Sequence, residues 1–273
     1  MTHAQVLDGA NLHIEAAALT NCGQQRPINE DTVFEFTTQP THGSQVGLYL
    51  VCDGLGGHEA GEVASQLAVQ AVVAQLGPVI VDRQTADYEP SALHQQITSA
   101  IDRANHKVWA YNNRKDLLVS RRAGTTLTMA LLLENMAVVA NVGDSRAYLW
   151  RNGQLAQITK DHSLVAQLVD SGVISSREQD QHPWRNIITR ALGRDQEIEI
   201  DLFDYELQAG DKLLLCSDGL WQAFTEEGEL EACLDKSGTA EEICWQLIHE
   251  ANHRDGSDNI SAVLVCADDP LLC

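Results

Sequence analysis

The sequence predicts an α+β protein in which antiparallel sheets form the centre and helices lie outside them. Strand-like and helix-like segments come in groups along the chain, whereas a doubly wound α/β protein alternates them. From Thr125 onward, apolar residues follow the two-residue period of strands, and short polar turns at Glu134-Asn135 and Asn152-Gly153 separate neighbouring strands. These closely spaced strands indicate an antiparallel meander.

Three segments have the three- and four-residue spacing of amphipathic helices, and a fourth, shorter helix is expected inside a mixed stretch. These four segments are Glu62–Leu76, Leu93–Tyr111, Ala240–Ala251 and Leu164–Val169. The first helix is expected to end at Gly77-Pro78, since proline interrupts helices. The polar residues Asp82–Pro90 are expected to form a loop.

Short apolar runs bounded by turn residues predict the strands. They are Val46–Cys52, Leu127–Leu133, Met136–Val142, Ala147–Trp150, Leu155–Ile158, Ile198–Leu207, Lys212–Cys216 and Ile260–Cys266. Because neither an internal repeat nor a linker composition is visible, we expect one catalytic domain over residues 1–273 with a core of about 14–267.

Composition excludes several classes of function. The 273 residues carry 39 acidic and 18 basic side chains, a net charge of −21, which disfavours nucleic acid and anionic membranes as partners. Seven cysteines without CxxC spacing indicate buried free thiols in a reducing compartment. No secretory leader or membrane span is recognised, so a cytoplasmic location is expected. A monomeric state is expected as well.

Three acidic residues stand at the edges of strongly apolar runs. Asp53 follows one predicted strand, Asp218 follows another after Ser217, and Asp258 comes just before a third. An unpaired buried anion is expensive, so three such strand ends that meet in space would need a cation. Carboxylate oxygens prefer hard ions such as Mg²⁺ or Mn²⁺.

These residues belong to an ordered set of short motifs that runs from about Asn21 to Cys266. The motifs are Arg26-Pro27-Ile28-Asn29-Glu30-Asp31, Asp53-Gly54-Leu55-Gly56-Gly57-His58, Gly124-Thr125-Thr126, Asn141-Val142-Gly143-Asp144-Ser145-Arg146, Thr159-Lys160-Asp161-His162-Ser163, Ile188-Thr189-Arg190-Ala191-Leu192-Gly193, Ser217-Asp218-Gly219-Leu220 and Ser257-Asp258-Asn259-Ile260. In this order they resemble the metal-dependent protein serine/threonine phosphatases of type 2C in their bacterial form.

The resemblance implies a sandwich of two antiparallel sheets flanked by helices in α-β-β-α layers, with a two-metal centre at one end. Asp53 matches the carboxylate that bridges both metals, and Gly54 matches a residue that offers its carbonyl to the first. Asp218 and Asp258 match ligands of the second metal.

Three further acidic residues match metal-associated positions in the resemblance. Glu30 and Asp31 correspond to groups that reach the metals directly or through water, and the sequence leaves both options open. Asp144 matches a carboxylate that, with Asp218, helps to form a third, weaker metal site. The implied cofactors are therefore two Mn²⁺ or Mg²⁺ ions and a possible third.

The implied reaction is hydrolysis of phosphoserine and phosphothreonine in proteins by a hydroxide that bridges the metals. Two divalent ions neutralise the phosphate and lower the pKa of bound water from 15.7 to about 7. Arg26, with a planar fork suited to two phosphate oxygens, is the expected phosphate clamp. His58 is a candidate proton donor to the leaving oxygen, although a metal-bound water can take this role. It stands four residues beyond Gly54, not directly after the Asp-Gly pair as in animal members.

Structural roles compete with functional ones at single residues. An Asp-Gly pair after a strand is usually a turn. A local ion pair within Asp144-Ser145-Arg146 is an even alternative to a functional role, and Arg146 itself is expected to be structural and not catalytic. Asp161-His162-Ser163 looks like a nucleophilic arrangement, but a helix N-cap role for Ser163 or Asp161 is favoured.

At the level of the whole chain, a pseudophosphatase scaffold and a hydrolase of small phosphoesters remain alternatives to a protein phosphatase that opposes a serine/threonine kinase. The segment Ser163–Trp184 occupies the place of a variable flap and is expected to influence substrate choice.

Overall fold

The computed structural model describes residues 12–38, 45–56, 60–81, 90–114, 122–179, 182–226 and 228–269. The strands are β1 His13–Asn21, β2 Thr32–Thr37, β3 Val46–Cys52, β4 Gly54–Leu55, β5 Gly124–Thr125, β6 Leu127–Leu133, β7 Met136–Val142, β8 Arg146–Arg151, β9 Gln154–Gln157, β10 Asp201–Glu206, β11 Asp211–Cys216 and β12 Ile260–Asp268. The helices are α1 Ala60–Val81, α2 Pro90–Arg114, α3 Leu164–Asp170, α4 Ser176–Gln179, α5 Asp218–Trp221, α6 Glu229–Leu234 and α7 Ala240–Arg254.

Two five-stranded antiparallel sheets form the centre of the described structure. One has the strand order β1-β12-β11-β8-β9, and the other has the order β10-β7-β6-β3-β2. A two-stranded ribbon, β4-β5, lies beside them. The predicted α+β sandwich is therefore confirmed.

Three layers of apolar side chains hold the sandwich together. Between the sheets, Tyr49 and Val51 of β3 pack with Leu213 and Leu215 of β11. The other face of β3 packs against α1 and α2, and the outer face of β11 packs against α6 and α7. Side chains alternate between the two faces of a strand, so each central strand contributes to two apolar layers. This explains why these strands read as continuous apolar runs.

The predicted hairpin between β6 and β7 is confirmed. Its turn residue Glu134 has a positive φ of 59°, and at the β8–β9 turn Asn152 and Gly153 have φ values of 53° and 77°. These are the conformations that tight hairpins require. The pairing of Leu133 with Met136 fixes the register of the whole β6–β7 ladder.

Some predicted boundaries are wrong. Helix α1 continues through Gly77-Pro78 to Val81, because Leu76 and Ile80 both pack into the apolar layer beneath it. Tertiary burial here outweighs the local cost of proline. The strand expected at Ile198–Leu207 covers only Asp201–Glu206. The first eight residues of the loop expected at Asp82–Pro90 lie outside the described residues, and Pro90 instead begins α2.

Six of the seven cysteines lie in the described part of the chain and all six are free. Five are buried and Cys22 is partly exposed, while Cys273 lies outside the described residues. Among the described helices, α1 alone has the length and hydropathy of a membrane span. Buried helices of globular proteins meet the same criterion, and 44% of its most apolar window is buried here.

Candidate metal centre

The strand pairing brings the predicted metal ligands to one end of the sandwich. Asp31 immediately precedes β2 and Asp53 immediately follows β3, and Thr32 pairs with Cys52, so the two carboxylates are neighbours. In the other sheet, Cys216 pairs with Ala262, which places the end of β11 beside the start of β12. The connection from β7 to β8 crosses between the sheets at this same end. We call this end the acidic end.

Asp53 is held through its main chain. Its N–H donates to Thr126 Oγ1 at 2.9 Å, and its carbonyl oxygen accepts from the Thr126 N–H at 2.9 Å and from Thr125 Oγ1 at 2.8 Å. The Thr126 hydroxyl also bonds to Ser145 Oγ at 2.7 Å. The Gly-Thr-Thr motif therefore fixes Asp53 and links it to the residue after Asp144.

The Asp31 carboxylate is buried, and only one of its two oxygens has a hydrogen-bond partner. Its Oδ2 accepts from Ser261 Oγ at 2.6 Å, while Oδ1 has no hydrogen-bond partner. Burial raises its pKa to about 7, against a lowering contribution from the Ser261 hydrogen bond.

Asp218 and Asp144 are joined by the short helix α5. Gln222 Nε2 donates to Asp218 Oδ2 at 3.1 Å, and the Trp221 indole N–H donates to the Asp144 carbonyl oxygen at 3.1 Å. Asp144 is 3% exposed, and its Oδ1 has no partner. Trp221 therefore ties the segment that carries Asp218 to the segment that carries Asp144.

Burial is the main cause of raised pKa values among these carboxylates, and their mutual repulsion adds to it. Burial raises the pKa values of Asp53 and Asp144 well above the usual range. Repulsion from Asp31 raises the pKa of Asp53 further, and repulsion from Asp218 does the same for Asp144. The pKa of Asp218 rises to about 6, again by burial and then by repulsion from Asp258. A hydrogen-bond contribution from Asp53 offsets part of this rise in the pKa of Asp218. Such shifts mark a cluster of anions without enough positive charge.

Asp258 forms an ion pair with the predicted phosphate clamp. Arg26 Nη2 lies 2.6 Å from Asp258 Oδ2, and the guanidinium is about half exposed. Asp258 Oδ1 accepts from the N–H of Asn259 at 2.8 Å. The structure therefore brings Arg26 to the acidic end.

Glu30 and Gly54 meet at the start of α1. The Glu30 carboxylate accepts from the Gly61 N–H, and burial raises its pKa. A side chain at Gly54 would come within 2.4 Å of the carbonyl oxygens of Glu30 and Gly61, so only glycine fits there. His58, the candidate proton donor, lies outside the described residues.

The donor set fits hard divalent cations. Two buried carboxylate oxygens without partners, in Asp31 and Asp144, point to a missing positive charge, and all predicted donors are oxygens. Within the described residues, no three His, Cys, Asp or Glu side chains already have an arrangement that could hold a metal ion. Asp258 is instead paired with Arg26 and Asp31 with Ser261.

The Asp161-His162-Ser163 motif has structural roles. Ser163 caps α3 by accepting from the Ala166 N–H, as predicted. Asp161 accepts a two-point contact from Arg146, at 3.0 Å from Nε and 2.7 Å from Nη2, so Arg146 is structural as expected, and its ion pair is with Asp161 where the sequence suggested Asp144. His162 Nδ1 accepts from the Gly143 N–H at 3.1 Å, and burial lowers its pKa.

Several supporting residues at the acidic end were not identified from the sequence. They act through side-chain contacts with residues distant in sequence, which no local pattern reveals: Thr125, Thr126, Ser145, Trp221, Asn259 and Ser261. The order of the Gly-Thr-Thr and Asp-Asn motifs was the available signal, and it identified the segments but not these roles.

A cavity of about 870 Å³ opens beside Asp144. Residues of the predicted flap, including Ser163, Val165 and Gln179, line this cavity together with Trp221 and Phe224. The flap itself contains α3 and α4, and Trp184 is about half exposed.

The sequence profile of the family described as Protein phosphatase 2C matches residues 24–242. The chain belongs to the protein phosphatase 2C family. This match covers ten of the twelve described strands, all but β1 and β12, and every carboxylate of the acidic end except Asp258. The predicted family and enzyme class, a protein serine/threonine phosphatase, are confirmed.

Individual relatives within the protein phosphatase 2C family agree over nearly their full length. The chain is 38% identical to the serine/threonine phosphatase stp of Listeria monocytogenes over 252 residues, 91% of this chain and 94% of the relative. It superposes on the S. agalactiae serine/threonine phosphatase with a TM-score of 0.81 and 32% identity, covering 93% and 99% of the two chains. The catalytic domain of PstP, solved in complex with two manganese ions, gives a TM-score of 0.78 at 34% identity, covering 94% and 100%.

Proposed function

We propose that this chain hydrolyses phosphoserine and phosphothreonine in proteins with two divalent cations, Mn²⁺ or Mg²⁺, and opposes a serine/threonine kinase. The observation that carries this proposal is the acidic end, where strand ends from both sheets gather buried carboxylates with raised pKa values. The two manganese ions of the PstP structure and the name of the Listeria relative support it.

The residues proposed to hold the cations are those that the family resemblance implies, and their gathering at the acidic end supports the assignment. Asp53, whose pKa is raised by burial and then by carboxylates from both sheets, is proposed to contact both cations, with the Gly54 carbonyl on the first. Asp218 and Asp258 are assigned to the second. Glu30 and Asp31 complete the surroundings, directly or through water, and Asp144 with Asp218 is assigned to a third, weaker ion.

When bound, the cations would neutralise the phosphate dianion and would lower the pKa of a water molecule that serves as the nucleophile. The chain's own part is to bind and orient the substrate. Arg26 donates to two phosphate oxygens through its planar fork, for which it must leave Asp258. Its half-exposed guanidinium is free to make this exchange.

Proton delivery and substrate choice are assigned to two regions. His58 is proposed to give a proton to the departing seryl or threonyl oxygen, which His58→Gln tests through loss of the alkaline limb of the pH–rate profile, because a proton donor is inactive once it is deprotonated. The flap Ser163–Trp184 is proposed to contact the substrate protein, since it walls the cavity beside Asp144. We further propose that the chain acts as a monomer, as a single catalytic domain and in the cytoplasm.

The test is phosphate release from a phosphothreonine peptide by the purified protein, with and without millimolar Mn²⁺. Wild type is expected to require the metal, and Asp53→Ala or Asp218→Ala to abolish turnover while the protein remains folded. Asp204→Ala is the control, because Asp204 is an exposed carboxylate on β10 that pairs with His94.

Three other results would contradict the proposal or favour a different function. Full activity in Asp53→Ala contradicts the proposed centre. No release with any metal favours a pseudophosphatase scaffold, and a preference for small esters over the peptide favours a small-phosphoester hydrolase.

A further inference from the structure

Asn259 is a buried amide that binds a distant stretch of main chain. Its Nδ2 donates to the carbonyl oxygens of Cys22 and Ile28, at 2.9 and 3.0 Å, and its Oδ1 accepts from the Glu30 N–H at 2.8 Å. The residue is 5% exposed. All three hydrogen bonds go to the connection between β1 and β2, which is more than two hundred residues away in sequence.

This connection carries Arg26 between the two carbonyls that Asn259 holds. It also lies directly on the turn before β12, since the Gln24 N–H donates to the Gly256 carbonyl oxygen at 2.7 Å. Gly23 approaches so closely that a side chain there would come 2.1 Å from the Asp258 carbonyl oxygen. The position of Arg26 relative to Asp258 therefore depends on how this segment is fastened.

We propose that Asn259 is a positioning residue for phosphate binding, a role that rests on the proposed function of Arg26 as phosphate clamp. Its amide hydrogen-bonds to Cys22 and Ile28, on either side of Arg26, and so holds this loop against the start of β12, next to Asp258. The Asn259 N–H at the same time donates to Asp258 Oδ1 at 2.8 Å, so one residue sets the clamp and the carboxylate together.

An amide is the side chain that this place requires. It supplies two N–H donors for the carbonyls and one acceptor for the Glu30 N–H, whereas aspartate has no donor and alanine has neither. An arginine side chain is long and flexible, so the directional contacts it makes with phosphate depend on a fixed main chain.

The first experiment measures the inhibition constant of inorganic phosphate in Mn²⁺-saturated enzyme, together with direct phosphate binding by titration calorimetry. Asn259→Ala is expected to weaken phosphate binding by about tenfold, because the charge-assisted contacts of Arg26 lose their alignment.

The matched control is Asn105→Ala. Asn105 is 1% exposed and makes the same three kinds of bond, from Nδ2 to the carbonyls of Asp195 and Gln196 and from the Gly193 N–H to Oδ1. This variant is expected to lose thermal stability without any change in phosphate binding. Equal weakening in both variants would reduce Asn259 to a general stabilising residue and overturn the proposal.

The second experiment is a double-mutant cycle with Arg26→Ala. If Asn259 acts through Arg26, adding Asn259→Ala to Arg26→Ala changes the phosphate inhibition constant by less than about twofold. An undiminished tenfold effect in that background would overturn the proposal.

Failure of the underlying function gives a separate result: Arg26→Ala alone would then leave phosphate binding unchanged. Where Asn259→Ala does not fold, Asn259→Ser serves in both experiments with the same expected pattern, because it leaves room for a water and keeps one donor.

Discussion

Replacing Asp31 with asparagine is expected to stabilise the protein in the absence of metal. The folded protein holds this carboxyl at a pKa of about 7, against 3.8 for an unperturbed group. An acid with a raised folded-state pKa destabilises the fold once it ionises, so the effect is largest above pH 7 and fades as the pH falls toward 4. The shift corresponds to a cost of about 4 kcal/mol at pH 8 and less than about 2 kcal/mol at pH 5.

The neutral amide removes this cost while it can still accept from Ser261. Because the neighbouring acids share the repulsion, we expect Asp31→Asn to raise the free energy of unfolding by about 1 to 4 kcal/mol at pH 8, and by less at pH 5. The assay is urea denaturation in EDTA, followed by tryptophan fluorescence at both pH values. An Asp31→Asn protein that is less stable than wild type at pH 8, or equally altered at both pH values, would refute the reasoning.

Asp211 provides the control with the opposite sign. It is also buried, at 2% exposure against 7% for Asp31, but it accepts from Arg151 Nε at 2.8 Å and Nη2 at 2.6 Å and from the Gln208 N–H at 2.7 Å. Asp211→Asn is therefore expected to lower the free energy of unfolding by about 1 to 3 kcal/mol at pH 8. The pair of variants separates buried carboxylates that have a counter-charge from those that lack one.

Three further predictions use other parts of the fold. Arg26→Ala is expected to raise the KM for a phosphothreonine peptide more than it lowers kcat, as steady-state kinetics will show, since it removes binding shared by ground and transition states. Trp221→Phe keeps a ring against Arg146 but loses the bond to the Asp144 carbonyl, so urea denaturation should show a loss of about 1 kcal/mol. Thr239→Ala removes the capping box of α7 and should cost about 1 kcal/mol in the same assay, with unchanged peptide turnover.

The local pattern of apolar and turn residues was sufficient to predict the central strands and most helices. Val46–Cys52, Leu127–Leu133 and Met136–Val142 have the predicted bounds because their ends are marked by turn residues or by a change from apolar to acidic. It was insufficient for α1, where Ile80 finds a place in the apolar layer beyond Pro78. Strand β1 escaped notice because its Ala16-Ala17-Ala18 run lacks β-branched residues, and only its pairing with β12 defines it.

The candidate site likewise contains residues that the sequence pattern identifies and residues whose roles depend on tertiary contacts. Asp53, Asp218 and Asp258 were identifiable because a carboxylate at the end of an apolar run is unusual by itself, whereas Glu30, Asp31 and Asp144 were identified through the family resemblance. The supporting residues of the site were not identifiable, because Asn259 and Trp221 acquire their roles only when strands far apart in sequence become neighbours. Burial also changes the chemistry in a way that sequence spacing does not contain, as the raised pKa of Asp218 illustrates.

Charge balance explains why the proposed centre suits phosphate despite the protein's net charge of −21. The six carboxylates assigned to it, Glu30, Asp31, Asp53, Asp144, Asp218 and Asp258, carry six negative charges when ionised. Arg26 offsets one of them, and two divalent cations would offset four, which leaves the centre about one charge short of neutrality. A third cation beside Asp144 would make the centre positive, and a phosphate dianion would then be attracted and not repelled. The protein's net negative charge repels other polyanions, so the attraction for phosphate is confined to one end of the sandwich.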